Sequence, residues 1–222
     1  MENLFELKHV SCFFGKNDTV TKALEEVNLD ILKEECISII GPSGAGKSTL
    51  LNVLAGIIKP TTGVVLYKGK PMPDSISKRA NIRLNEFGFI FQSYNLIPTL
   101  NVRDNIILPV VMNNEKVDLA LYEKLISEIN LSGHEKKKPN QLSGGLAQRV
   151  SIARALIKKP TVVFADEPTG NLDSVNGNAV FSLLFELAEK YRYTLIYVTH
   201  DKEKSNLAKR IITIKDGKLI ES

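Results

Sequence analysis

The sequence predicts an α/β domain with a mostly parallel core sheet, an antiparallel β edge subdomain and a helical subdomain, and three stretches carry that prediction. Residues 36–58, CISIIGPSGAGKSTLLNVLAGII, pass from a short apolar run through a glycine-rich turn into a helical pattern. Residues 161–165, TVVFA, form the near-continuous apolar run of a parallel strand buried on both faces, and deliver Asp166 and Glu167 at its end. Residues 194–199, TLIYVT, do the same for His200 and Asp201. In a parallel sheet, strand ends carrying Gly41, Asp166 and His200 line one edge, where such sheets place ligands.

In chain order, residues 4–10 alternate weakly, and residues 27–32 set Val, Leu and Ile against Asn and Asp, as half-buried strands do. These make the antiparallel edge. Phe13 and Phe14 precede the turn-rich Gly15-Lys16-Asn17-Asp18; an aromatic there is a core or edge residue by default, and beside a nucleotide it can stack on the base. Gly41, Gly46, Lys47 and Ser48 then fill the pattern G-x-x-x-x-G-K-[ST] of the P-loop nucleoside triphosphatases. In that pattern backbone N–H groups surround phosphates, the lysine reaches the β/γ oxygens and the hydroxyl meets Mg²⁺. Glycine permits the close backbone approach, and the following helix aims its positive end at the anion. Composition alone would produce the four fixed positions in roughly one sequence in a hundred. The apolar residues 37–40 before the loop, and Leu50, Leu51, Val53 and Leu54 after it, lower that chance. Nucleotide binding follows, without saying which nucleotide.

Residues 59–63, KPTTG, end the helix; residues 64–67 form a strand, residues 75–86 a polar helix, and residues 88–92, GFIFQ, an apolar strand that ends on Gln92. Residues 99–131 look helical, with Val102, Ile106, Leu121, Leu125 and Ile129 as a packing stripe. After the break at Pro139-Asn140-Gln141, Leu142-Ser143-Gly144-Gly145 opens a helix carrying Val150, Ala153 and Ile157. A serine and two glycines there leave N–H groups and a dipole end where an anion can sit, although alone they would be a simple cap. Adjacent carboxylates after a buried strand suit phosphate chemistry: Asp166 to support Mg²⁺, Glu167 to polarise an attacking water. A polar loop through Asn171-Leu172-Asp173 leads to a helix with Phe181, Leu184, Phe185 and Ala188 inward, and residues 211–214 and 218–220 read as a terminal hairpin. His9 and His134 have no such context.

The chain has 222 residues, 43% apolar and 24% charged, with no repeat or low-complexity tract, which suits one domain or a domain with a subdomain. Its formal charge of +4 is scattered except at Lys136, Lys137 and Lys138, read as a solvated loop. A nucleic-acid footprint needs a longer basic stripe with aromatics, so no nucleic-acid partner is expected; weak attraction to an acidic membrane stays open. Cys12 and Cys36 suggest neither a disulfide framework nor a metal site and suit a reducing compartment. The start MENLFELKHV is no signal peptide and no run is long enough to span a bilayer, so the expected location is cytoplasmic. Any spans come from another polypeptide.

Together these pieces resemble the ATP-binding-cassette (ABC) ATPases over essentially the whole chain. GPSGAGKST resembles the family's Walker A, Phe91-Gln92 its Q-loop, LSGG at residues 142–145 its signature and VVFADE its Walker B. NLDS at residues 171–174 is similar to the D-loop, and THD at residues 199–201 to the H-loop. The resemblance implies a single ATPase domain over residues 1–222, with the helical signature subdomain at about residues 93–160. It implies ATP and Mg²⁺ as cofactors, with Gly41, Ser43, Gly44, Ala45, Gly46, Lys47, Ser48 and Thr49 around the phosphates and Ser48, Gln92 and Asp166 as the metal's residues. By the same resemblance Glu167 activates water, His200 contacts the γ-phosphate, and Phe14 stands where the adenine-stacking aromatic belongs, without the usual tyrosine hydroxyl. It further implies a head-to-tail homodimer, in which Ser143, Gly144 and Gly145 close over the partner's nucleotide and Asp173 communicates between sites.

The chain departs from the family at Leu146, where the signature has glutamine; the downstream Gln148-Arg149 matches. Leucine brings no polar group to the dimer interface, so weaker ATP-driven closure is expected. GFIFQSYNLIPTLNVRDNIILPV and DEPTGNLDS look most like the subgroup serving lipoprotein release, macrolide efflux and antimicrobial-peptide resistance. That subgroup implies a separate membrane permease and a place on the inner face of the plasma membrane, with the segment after Gln92 receiving the permease. A cell-division-type cassette, which transmits force to cell-wall enzymes and moves no substrate, is the alternative. The soluble cassettes of DNA repair and translation fit less well, since the chain has neither a long coiled coil nor a second cassette. An intact Glu167 and His200 disfavour a module that binds without hydrolysing.

Overall fold

Residues 2–15 and 20–220 are described by the computed structural model, so the turn expected at Gly15-Lys16-Asn17-Asp18 lies, from Lys16 on, outside the described residues. The chain divides into two units, one formed by Met1–Arg83 with Thr194–Ser222 and the other by Leu84–Tyr193.

The first unit opens with β1 (Asn3–Phe14) and β2 (Thr21–Leu32), paired antiparallel. Their weak alternation has a structural cause. His9 and Glu26 sit at φ 50° and 52° and break the register, with His9 N–H donating to Asn28 Oδ1 (2.9 Å) and Glu26 N–H to Ser11 Oγ (3.0 Å). The exposed His9 ring meets Glu26 Oε2 at 3.0 Å and belongs to this bulge. Next come β3 (Cys36–Ile40), α1 (Lys47–Leu54), β4 (Thr62–Tyr67), the short β5 (Lys70–Pro71) and α2 (Ile76–Glu86). The antiparallel sheet runs β2-β1-β4-β5, and Phe5 packs on Tyr67 across it with ring centroids 5.0 Å apart.

The second unit contains β6 (Phe87–Phe91), α3 (Val102–Met112), α4 (Leu119–Glu128), a 3₁₀ turn at Pro139–Gln141, α5 (Gly144–Leu156), β7 (Val162–Asp166) and α6 (Ser174–Tyr191). The segment 99–131 is two helices, interrupted where Asn113 ends α3 and Asn114 takes φ 53°. Asn101 caps α3 by accepting from Asp104 N–H (2.8 Å), and Asp118 caps α4 by accepting from Leu121 N–H (3.0 Å), so each helix has its own start. The stripe Val102, Ile106, Leu121, Leu125 and Ile129 is buried as its spacing requires. In β7, Val162, Val163, Phe164 and Ala165 are at most 1% exposed, which is why that strand carries no polar face. Phe87 and Phe89 of the parallel β6 pack on Phe164 at 5.3 and 5.7 Å.

The chain then returns to the first unit through β8 (Thr194–Val198), the single-turn α7 (Lys202–Ser205), β9 (Arg210–Lys215) and β10 (Lys218–Ile220). There β8 and β9 flank β3, both parallel to it. The terminal hairpin forms by β9–β10 pairing through Asp216 and Gly217, and β9 also extends the parallel sheet.

Candidate functional site

In the first unit the loop between β3 and α1 is set by close backbone contacts. Gly46 lies at φ 106°, and a Cβ there would stand 2.2 Å from the carbonyl oxygen of Ala23, so both torsion and space demand glycine. Gly46 is also the N-cap of α1 and offers no side chain to cap it, and the first turn holds no acidic residue. The N–H groups of that turn are therefore available to an anion, and the helix dipole favours one. Gly217 N–H donates to Ala45 O (3.0 Å) and Ala45 N–H to Pro42 O (3.2 Å), bracing the loop from the β9–β10 turn and from within.

Lys47 curls back over this loop, its ammonium donating to Gly41 O and Pro42 O at 2.8 Å each. A phosphate in the cradle offers this ammonium an anionic acceptor in place of two neutral carbonyls, adding ion-pair attraction to the hydrogen bond. Ser43, Gly44 and Ser48 are exposed, Gly41, Lys47 and Thr49 half-buried, and Ala45 buried. His200 follows β8, the parallel neighbour of β3, so it leaves the sheet at the same end as Gly41. Thr199 N–H donates to Ile39 O (3.3 Å), and Thr199 Oγ1 accepts from Asp201 N–H (3.1 Å); Asp201 in turn caps α7. The first unit thus brings Gly41 and exposed His200 to neighbouring strand ends, with Lys47 and Ser48 opening the helix that follows the Gly41 loop. Phe14 closes β1 opposite Thr21 and is 44% exposed, which leaves ring surface for stacking.

In the second unit β6 and β7 pair Phe91 with Asp166, so Gln92 and Glu167 emerge from adjacent strand ends. Glu167 holds φ 44°, an unfavourable torsion costing on the order of 1–3 kcal/mol, in a turn closed by Gly170 N–H to Glu167 O (3.0 Å). Asn171 locks Gln92 from two sides: its Nδ2 donates to Gln92 O (3.0 Å), and its Oδ1 accepts from Gln92 Nε2 (3.3 Å). With Nε2 committed, Gln92 Oε1 is the atom left to meet a cation. Within this unit Gln92 and Asp166 supply amide and carboxylate oxygens from adjacent strand ends, hard donors of the kind Mg²⁺ takes.

Ser143 caps α5, its Oγ accepting from Leu146 N–H at a long 3.4 Å, and is exposed. Gly144 and Leu146 are half-buried and Gly145 is buried. Asp173 caps α6, accepting from Asn176 N–H (3.0 Å) and Asn176 Nδ2 (2.6 Å), bonds that hold its carboxyl below the ordinary range. Burial raises the pKa of Tyr94, whose hydroxyl lies in the space a Cβ on Gly144 would need, 2.8 Å from it.

Three residues in this unit have roles that the sequence alone does not assign. Asn171 orients Gln92; Arg154 donates to Tyr94 O (2.7 Å) and Asn95 O (2.6 Å); Gln148 is wholly buried between strand ends. The available signal was polarity at inward positions, since Ala147, Val150 and Ile152 around Gln148 are all core residues.

Among known proteins, residues 24–170 match the family profile described as ABC transporter. The chain is 44% identical over 221 residues to the uncharacterized ABC transporter ATP-binding protein MJ1508 of Methanocaldococcus jannaschii, covering 98% of each. It is 41% identical to the lipoprotein-releasing system ATP-binding protein LolD of Shewanella denitrificans, over 99% of this chain and 95% of LolD. It is 40% identical to the macrolide export ATP-binding/permease protein MacB of Mannheimia succiniciproducens, of which it spans 34%. The solved structure of the ATP-binding cassette MJ0796, dimeric in a post-hydrolysis state with ADP and Pi, matches with a TM-score of 0.88 at 37% identity, over 98% of this chain and 97% of that one.

Proposed function

The chain belongs to the ABC transporter family as an ATP-binding, ATP-hydrolysing cassette, and from that premise we propose that it powers a separate membrane permease in export, of the lipoprotein-release, macrolide-efflux or peptide-resistance kind. The observation that carries this reading is the end-to-end match to LolD, a protein named as the ATP-binding part of a releasing system. The partial match to MacB, whose name joins ATP-binding and permease parts, supports the same division of labour.

Residues 1–222 act as one ATPase cassette. Phe14 stacks on adenine, and the loop from Gly41 through Ser43, Gly44, Ala45 and Gly46 to Thr49 cradles the phosphates, with Lys47 on the β/γ oxygens. Ser48, Gln92 and Asp166 would hold Mg²⁺, whose charge would offset that of the phosphates. Glu167 accepts the proton of the attacking water, and His200 stabilises charge developing on the γ-phosphate. Two copies pair head to tail, so that Ser143, Gly144, Gly145 and Asp173 of one complete the site of the other. Among the described residues no helix is long and apolar enough to cross a membrane, and the permease supplies the spans. The cassette then sits on the cytoplasmic face.

The test is co-purification from native membranes with tagged Glu167→Gln and ATP, which traps the closed dimer. Recovery of a permease with a large extracytoplasmic domain is expected. Recovery of a division-type membrane protein with cell-wall enzymes would replace export by force transmission, and soluble partners alone would refute the transporter assignment.

A further inference from the structure

Gln148, in the second turn of α5, is 0% exposed. Its Nε2 donates to Pro168 O at 2.6 Å and to Phe91 O at 3.4 Å. These carbonyls are one residue from the two groups that matter most in this unit: Phe91 precedes Gln92, and Pro168 follows Glu167. A single amide therefore spans the ends of β6 and β7. The orientation of that amide is unambiguous, because both neighbours are acceptors and only the NH₂ end can face them.

Gln148 Oε1 is buried and has no hydrogen-bond partner among the described residues. A stranded acceptor costs about 1–3 kcal/mol, a penalty that methionine or leucine at the same position would not incur. Packing alone thus favours an apolar residue here, and what only the amide adds is the pair of N–H bonds to Phe91 and Pro168. Neighbouring carbonyls are held in the same way: Gln92 O by Asn171, and Tyr94 O and Asn95 O by Arg154. Tyr94 and Asn95 both lie at positive φ, 60° and 47°, so this loop is shaped by side chains that grip its backbone.

We infer that Gln148 is a positioning residue for ATP hydrolysis, setting through Phe91 O and Pro168 O the separation between the metal-facing Gln92 and the general base Glu167. The inference rests on the roles proposed above for those two residues. It touches neither nucleotide nor water itself, so its effect falls on the chemical step and on metal binding, and not on ATP capture by the Lys47 loop. A misplacement of about 1 Å near reacting groups lowers turnover by about 100-fold, which bounds the expected effect.

The experiment compares the full chain with Gln148→Met and Gln148→Glu, using Glu167→Gln and Gln92→Ala as references. Readouts are kcat, KM for ATP, the Mg²⁺ concentration at half-maximal rate, and thermal melting. Gln148→Met removes the donors at nearly constant volume; Gln148→Glu presents a carboxylate to the same carbonyls. The expected result is cooperative melting, kcat lower by about 10- to 100-fold, KM within about twofold and a several-fold higher Mg²⁺ requirement. Wild-type kcat in either folded variant overturns the inference. So does a rise in KM that matches the fall in kcat/KM, or loss of cooperative melting in both variants, since either marks a purely structural residue. A wild-type rate in Glu167→Gln refutes the general-base assignment itself, whereas an inactive Glu167→Gln beside a fully active Gln148→Met refutes only the role given to Gln148.

Discussion

Replacing Gly46 by alanine separates backbone torsion from steric contact when Gly44→Ala is measured beside it. Gly46 has φ 106° and a virtual Cβ 2.2 Å from Ala23 O and 3.3 Å from Leu24 Cδ2; Gly44 has φ 78° and nothing within 4 Å of its virtual Cβ. Gly44→Ala therefore incurs only the torsional penalty, about 1–2 kcal/mol. Gly46→Ala adds an overlap that requires a shift of about 1 Å in the loop or in β2, typically another 1–3 kcal/mol, for a total of about 2–5 kcal/mol. For a chain of this size each kcal/mol lowers Tm by about 2–4 °C, so the expected losses are about 2–8 °C for Gly44→Ala and about 4–20 °C for Gly46→Ala. The same shift turns first-turn N–H groups of α1 away from the phosphates. Losing one charge-assisted bond of about 1.5–3 kcal/mol weakens ATP binding by about 10- to 150-fold. Melting curves with and without Mg·ATP, together with titration of a fluorescent ATP analogue, read both effects. Equal Tm losses in the two variants, or ATP affinity in Gly46→Ala within about threefold of wild type, would show that the contact with Ala23 does not govern the loop.

Two further predictions concern the second unit. Leu146→Gln, which adds an amide next to Gly145, is expected to raise ATPase turnover and to favour the ATP-bound dimer at lower protein concentration; unchanged turnover and ATP affinity would refute the role given to this position. Glu128 links α4 to α6 by accepting from Tyr191 Oη (2.7 Å) and pairing with Lys190 (2.7 Å). Burial pulls its pKa up, but the bonds from Lys190 and Tyr191 and the charges of Lys190 and Lys124 outweigh it, leaving the pKa below its ordinary value of 4.5. The folded state thus favours the carboxylate: the stabilisation is complete above the ordinary value and disappears as pH falls through the lowered one. Glu128→Gln should melt about 2–4 °C below wild type at neutral pH, and the gap should close in acid; a gap that persists unchanged at low pH would sink the assignment.

The elements that could be read without coordinates are those whose cause is local. The loop at residues 41–49 is dictated by glycines that tolerate positive φ and by a helix start without a capping side chain, and both travel with the sequence. The strand from Val162 to Asp166 is recognisable because burial on two faces leaves no room for a polar residue. The carboxylates after it, and His200 after β8, follow by counting. The two helices within residues 99–131 were less legible, because the apolar stripe continues in register across a break made by Asn113 and Asn114, and periodicity does not report the connection.

Chain order alone determined that this protein has an α/β phosphate-binding core, and it placed Lys47, Gln92, Ser143, Glu167 and His200 at element ends, because such assignments need only local torsion, capping and hydrophobic period. Tertiary structure decided the pairings between distant segments: β9 beside β3, the bulges at His9 and Glu26 that bend β1 against β2, Asn171 on Gln92, and the amide of Gln148 between Phe91 and Pro168. These depend on which backbone groups meet once the sheet is assembled. A glutamine reads the same on a helix surface as in a core, and only the carbonyls brought to it by β6 and β7 give it work to do.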